Sequence, residues 1–202
     1  MMRLIALLLS LAVCVAGCGQ RQADPEEKAV NAILKLGGRV TRDEYPPHGP
    51  VVVVELGHSP QVTDADLNHL KQLKELRALH LQTTKITDAG LRELKELKYL
   101  KLLQLNGTHI TDAGLQDLKQ HKYLEDLMLG GTQITDAGLK DLKELKYLKY
   151  LDLGFTHITD AGLKDLKELK NLRLLSLKGT KVTDTGVKDL KQALPNAEIL
   201  GP

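Results

Sequence analysis

The chain has 202 residues, 42% of them hydrophobic and 27% charged, with a formal net charge of +2. That is the size and make-up of one ordinary domain, and the even mixture of charge signs gives neither a basic footprint for nucleic acid nor an acidic tail. Leucine is the outlier: 42 leucines stand against five Tyr, one Phe and no Trp, so the core has to be aliphatic.

The chain opens on Met1, Met2 and Arg3, followed by an apolar run from Leu4 to about Val15. The run is shorter than the ~20 residues of a membrane-spanning helix and reads as a signal peptide over residues 1–17. Its end, Val15-Ala16-Gly17-Cys18, resembles the bacterial lipoprotein box, which implies acylation of Cys18 as the mature N-terminus and a tether over 18–23. The rival Leu11-Ala12-Val13-Cys14 places a bulky Val before the cysteine and fits less well. Ordinary secretory cleavage is the alternative, and either way the chain is exported. Both cysteines lie in this segment, so neither disulfides nor a thiolate metal site can support the folded body.

Residues 24–50 form an N-terminal cap. Asp24-Pro25-Glu26 is a helix-start signal, Ala29, Val30, Ile33, Leu34 and Leu36 fall largely on one face, and Gly37-Gly38 ends the helix. Arg39 to Thr41 reads as a short strand, Tyr45 to Pro50 as a loop, and Val51 to Leu56 as the first strand of the repeated region.

From residue 51 to 202 a period of 24 governs the sequence. Thr-Asp-Ala-Gly-Leu recurs from Thr87, Thr111, Thr135 and Thr159, with the variants Thr63-Asp64-Ala65-Asp66-Leu67 and Thr183-Asp184-Thr185-Gly186-Val187 at the ends. Within a turn, Leu79 and Leu81 flank His80, the alternation of a strand with one side in the core. Leu91, Leu94 and Leu97 recur at the spacing of one helix face, and Thr87 stands where an N-cap is needed. Asp88 follows at the positive end of the helix dipole, and Gly90 allows close approach of neighbouring turns. No turn can bury its leucines alone, so about six 24-residue turns must stack, with six or seven strands in parallel.

Leu76, Leu79, Leu81, Thr84 and Ile86, repeated from Leu100, give L-x-x-L-x-L-x-x-T-x-I, which resembles the leucine-rich repeat family, with Thr where Asn or Cys is usual. The resemblance implies an α/β fold: a right-handed solenoid in a short horseshoe arc, with parallel strands on the concave face, helices on the convex face and a helical N-terminal cap. The exported cap and Thr-Asp-Ala-Gly-Leu turns are similar to small repeat lipoproteins of planctomycete-type bacteria. A weaker similarity, to F-box-type substrate receptors of ubiquitin ligases, conflicts with the export signal.

Repeats create columns of like residues that can pass for active sites. The column Asp64, Asp88, Asp112, Asp136, Asp160 and Asp184 reads as helix initiation in preference to a calcium ladder. His109 and His157 share a column two turns apart, about 10 Å by strand spacing, too far for one metal. His121 replaces a helix leucine and reads as tolerated and partly covered, while Tyr99, Tyr123 and Tyr147 stack along a rim. The Lys and Glu runs are solvated helix surface. No nucleophile elbow, P-loop or His-Glu-x-x-His string occurs, so no catalytic residue, metal or cofactor is expected.

Information should reside where turns differ, on the outward strand positions. The candidate binding residues are His80, Gln104, Asp126, Met128, Tyr150, Asp152, Phe155 and His157. Phe155, the only Phe, occupies a position that is Gly at 107, 131 and 179, and large aromatics anchor binding hot spots. The expected role is a non-enzymatic protein-binding or scaffold module: a monomer, without nucleic-acid partners, touching a membrane only through a lipid on Cys18 in a bacterial envelope, or secreted if Cys18 is unmodified. The alternative is a structural, self-associating envelope protein.

Overall fold

The structure is a computed structural model and describes residues 24–45 and 49–202. The signal peptide, Cys18 and the tether lie outside the described residues.

Helix α1 (Pro25–Lys35) starts where the sequence places it: the Asp24 side chain accepts a hydrogen bond from Glu26 N, with Pro25 in the first turn. Strand β1 (Arg39–Arg42) pairs antiparallel with β2 (Val51–Glu55). Six further strands then add in parallel: β3 (Ala78–His80), β4 (Leu102–Gln104), β5 (Asp126–Met128), β6 (Tyr150–Asp152), β7 (Leu174–Ser176) and β8 (Glu198–Leu200). All eight lie in one sheet in sequence order. The register is in phase throughout, with Leu79, Leu103, Leu127, Leu151 and Leu175 opposite one another.

Between the strands lie a 3-10 helix (Asp64–Gln72) and short helices α2 (Asp88–Glu93), α3 (Asp112–Leu118), α4 (Asp136–Leu142), α5 (Leu163–Leu166) and α6 (Asp184–Ala193). Paired strands sit about 4.8 Å apart and packed helices about 8–10 Å apart, so the strand face is the inner side of the arc. The core is one continuous cluster from Ala29 to Ala197, and most of its leucines have no exposed surface.

The substitution of Thr for Asn inside each turn has a clear consequence. The hydroxyls of Thr84, Thr108, Thr132 and Thr156, all buried, donate to the carbonyls of Leu81, Leu105, Leu129 and Leu153 at 2.5–2.6 Å. Each turns the chain away from its strand without leaving a polar group unsatisfied.

One expectation needs correction. His121 is not partly covered: it is 1% exposed, its Nδ1 lies 3.1 Å from the carbonyl oxygen of Leu97, and its Nε2 has no partner. The Lys and Glu runs at Lys95-Glu96 and Lys143-Glu144 are exposed, whereas Asp141 on α4 is 4% exposed, with Lys119 2.9 Å from its Oδ1.

Candidate functional site

Three-residue strands leave two outward positions per turn, and His80, Gln104, Asp126, Met128, Tyr150 and Asp152 occupy them, while Phe155 and His157 follow the end of β6. The middle residue of each strand from β3 to β7 is buried while its neighbours face outward. Asp126 stands opposite Tyr150, and Met128 opposite Asp152, one strand spacing apart. His80 and Gln104 form a separate pair, His80 Nδ1 lying 2.8 Å from Gln104 Oε1. The eight residues thus make a stripe across four strands. Tyr150 and Phe155 are five residues apart on one turn, up to about 16 Å at extended-chain rise, so they mark opposite ends of the face.

At the strand-start end, Asp126 is half-buried and its Oδ1 has no hydrogen-bond partner. Burial raises its pKa above the ordinary carboxylate value, Glu125 beside it adds repulsion, and Lys149 offsets part of this. Glu125 moves the other way, its pKa lowered chiefly by the hydrogen bond from Lys149. In the middle, Asp152 is fully engaged: Oδ2 accepts from Asn106 Nδ2 at 2.8 Å and Oδ1 from Gly154 N at 2.9 Å. Asn106 is a positioning contact that the sequence pattern does not reveal, because it reaches across two turns.

At the strand-exit end, every turn passes through the left-handed backbone region. His58, Thr83, Gly107, Gly131, Phe155 and Gly179 have φ between 55° and 69°. Glycine accepts this without cost, while a bulky L-residue is strained there. Phe155 does so at φ 55° with 67% of its surface exposed. Its ring lies over Gly179, where an added Cβ would stand 2.6 Å from the ring. The glycine column was visible in the sequence; its backbone conformation was not. His157, two residues on, is exposed.

A recess of about 280 Å³ at the first turns is lined by Arg39, Glu55, His58, His80 and Gln82. Among the described residues no group of three or more His, Cys, Asp or Glu comes together to hold a metal ion.

A leucine-rich repeat model matches residues 96–119, 120–143, 144–167 and 168–191, in phase with the four turns that the structure stacks. These turns are similar to leucine-rich repeats, and the fold is that of a leucine-rich repeat solenoid. No curated protein matches the chain. Among solved structures, an internalin from Listeria monocytogenes is 22% identical, with a TM-score of 0.60 over 73% of this chain and 39% of that one. An internalin C2 from the same organism is also 22% identical, with a TM-score of 0.53 over 87% of this chain and 82% of that one. The chain spans about two fifths of the length of the first internalin. At these identities the likeness is one of fold, an α/β leucine-rich repeat solenoid with a helical cap.

Proposed function

We propose that this leucine-rich repeat chain is a non-enzymatic recognition module, exported to a bacterial envelope and held there by an acyl group on Cys18, which binds a protein partner with its strand face. Phe155 carries the reading. A bulky side chain in the left-handed region costs about 1–2 kcal/mol, three sister turns avoid this cost with Gly107, Gly131 and Gly179 while His58 and Thr83 share it, and the Phe155 side chain is two-thirds exposed. Contact with Gly179 recovers little of that area. An exposed aromatic on a rigid scaffold suits the centre of a protein interface, where one residue commonly contributes about 2 kcal/mol or more.

Two experiments test the two halves. Acyl labelling of the wild type that disappears in Cys18→Ala supports the anchor, and label retained in that variant rejects it. Photo-crosslinking from His157 in intact cells, followed by mass spectrometry, identifies the partner. The purified partner then binds Phe155→Gly at least about thirtyfold more weakly than the wild type, whereas equal binding rejects the proposed face.

A further inference from the structure

The net charge of +2 conceals a separation of charge between the two flanks of the solenoid. The loops that lead from helix to strand, residues 71–77, 95–101, 119–125, 143–149 and 167–173, carry fourteen Lys and Arg against five Glu. The loops that lead from strand to helix, residues 58–66, 82–90, 106–114, 130–138, 154–162 and 178–186, carry three Lys against seven Asp. Basic residues at helix C-termini and acidic ones at N-termini suit the helix dipoles, but the basic excess goes beyond that. Lys95, Lys98, Lys143, Lys167, Lys170 and Arg173 have no carboxylate partner among the described residues. The pairs that do form, such as Lys122–Glu144 at 3.7 Å and Lys146–Glu168 at 3.9 Å, are loose and about half exposed.

Aromatic residues stand on the same flank. Tyr99, Tyr123 and Tyr147 are 50%, 54% and 56% exposed, each directly after a lysine. The rings of Tyr123 and Tyr147 lie 6.2 Å apart at 35°, which leaves no room for a base between them. Tyr45, 87% exposed, stands at the same edge, two residues from Asp43, which Arg77 bridges at 3.2 Å. A row of half-exposed tyrosines among lysines that are unpaired or only loosely paired is the composition of a lipid–water interface, where the ring enters the headgroup layer and the ammonium meets phosphate.

The direction of the chain supplies an independent observation. Helix α1 runs antiparallel to the repeat helices: the carbonyl of Leu36 at its C-terminal end accepts from Gln61 Nε2 at 2.7 Å, while Pro25 and Lys28 at its start lie by Asn68 and Gln72. Arg42, opposite Val51 at the beginning of β2, binds Glu26 in the first turn of α1. Asp24 therefore stands on the basic flank.

We infer that the flank bearing Tyr99, Tyr123, Tyr147, Lys98, Lys122 and Lys146 lies against an anionic phospholipid surface, with the strand face directed along it and open to a partner. A single acyl chain gives only marginal membrane binding, and a basic patch is the kind of second signal that makes it stable. The inference depends neither on Phe155 nor on acylation of Cys18.

The test uses residues 24–202, which hold the continuous core cluster from Ala29 to Ala197 and lack the apolar segment. Sedimentation is measured with vesicles of phosphatidylcholine alone and with equal parts of phosphatidylcholine and phosphatidylglycerol. The chain has no Trp and four of its five Tyr are on this flank, so tyrosine emission reports contact directly. Binding is expected only to the anionic vesicles, with a change in tyrosine emission and loss in high salt. Replacing Lys98, Lys122 and Lys146 together by Gln should weaken it about a hundredfold, at about fivefold per lysine. Lys178→Gln with Lys181→Gln on the other flank, and Phe155→Gly, should leave it unchanged. Equal binding to neutral vesicles, no binding to anionic ones, an unaltered affinity in the triple variant, or capture of a DNA oligomer in place of vesicles would each overturn the assignment.

Discussion

Asp88 holds Thr111: its two carboxylate oxygens accept from the Thr111 backbone N at 2.9 Å and from its Oγ1 at 2.6 Å. Thr111 is itself the N-cap of α3, its hydroxyl oxygen accepting from Ala113 N. The first helical residue of one turn therefore orders the cap of the next. Asp64–Thr87, Asp112–Thr135, Asp136–Thr159 and Asp160–Thr183 repeat these hydrogen bonds, so the aspartate column is a ladder between turns, even where α5 begins only at Leu163 with Gly162 as its N-cap. Removing a middle rung with Asp112→Ala should cost roughly 2 kcal/mol, because it leaves a cap hydroxyl and a backbone N–H without their charged acceptor. Asp184, beyond the last rung, should tolerate the same change within about 0.5 kcal/mol. Urea unfolding of the two variants checks the contrast, and equal losses would reduce the column to helix-dipole charges alone. The last rung also sets an acid limit. The hydrogen bonds from the Thr183 hydroxyl and backbone hold the pKa of Asp160 below its ordinary value, so this stabilisation is complete above the usual carboxylate range and is lost as pH falls through it.

The first turn solves the missing rung in another way. No turn precedes Thr63, and there the repeat's Gly is replaced by Asp66, whose carboxylate accepts from Thr63 N at 2.8 Å and from Thr63 Oγ1 at 2.9 Å. A residue within the turn thus does the work that the preceding turn's Asp does elsewhere. Asp66→Gly, which restores the repeat sequence, should lower stability by about 1–2 kcal/mol. Unchanged stability in denaturant would show that the end turn needs no such acceptor.

Glycine is needed where Asp66 is not. A Cβ on Gly90 would stand 2.5 Å from Asp64 Oδ1, so the glycine gives the ladder its room. Gly→Ala in an exposed helix ordinarily gains about 1 kcal/mol; Gly90→Ala should instead lose about 1–3 kcal/mol by overpacking. A gain in melting temperature would contradict this.

The contrast between Gly90 and Asp66 shows how much of the molecule was legible. The period of 24, the strand and helix of each turn, the N-cap threonines and the aliphatic core follow from patterns inside one turn, and the structure reproduces them. The function of Asp88 depends on a residue 23 positions away, which no local pattern specifies. The backbone region at Phe155 is likewise set by how the strand exits, and the charged flanks cancel in any sum over the chain. The burial of His121 follows from packing beneath a leucine column and not from its own chemistry.

His121 makes stability depend on pH. Burial is the main cause that lowers its pKa from 6.5, the hydrogen bond to Leu97 opposes the shift, and nearby Lys98 adds to it. The folded protein therefore holds His121 neutral while the unfolded chain takes up a proton near its ordinary pKa. This contribution to stability is complete above about 6.5 and falls as pH drops below it, until the folded form is also protonated. His121→Leu, which restores the residue found at Leu97, Leu145 and Leu169, should remove that part of the pH dependence and stabilise the protein more at pH 5 than at pH 8. Parallel unfolding curves of variant and wild type across that interval would show that His121 does not titrate on unfolding.

Phe155 separates a binding residue from a packing one. If its ring served chiefly to cover Gly179, deleting it would cost about 3 kcal/mol, as for a buried Phe. The ring is 67% exposed and its backbone is left-handed, so the relief of about 1–2 kcal/mol of strain outweighs the small area lost, even after glycine's entropic cost of about 0.5–1 kcal/mol. Phe155→Gly is therefore expected to leave stability unchanged or to raise it by up to about 1 kcal/mol, while weakening the partner. A variant that binds as the wild type does and unfolds more easily would make Phe155 a structural residue. Stability retained with binding lost is the pattern of a side chain kept, against local strain, for contact with another molecule.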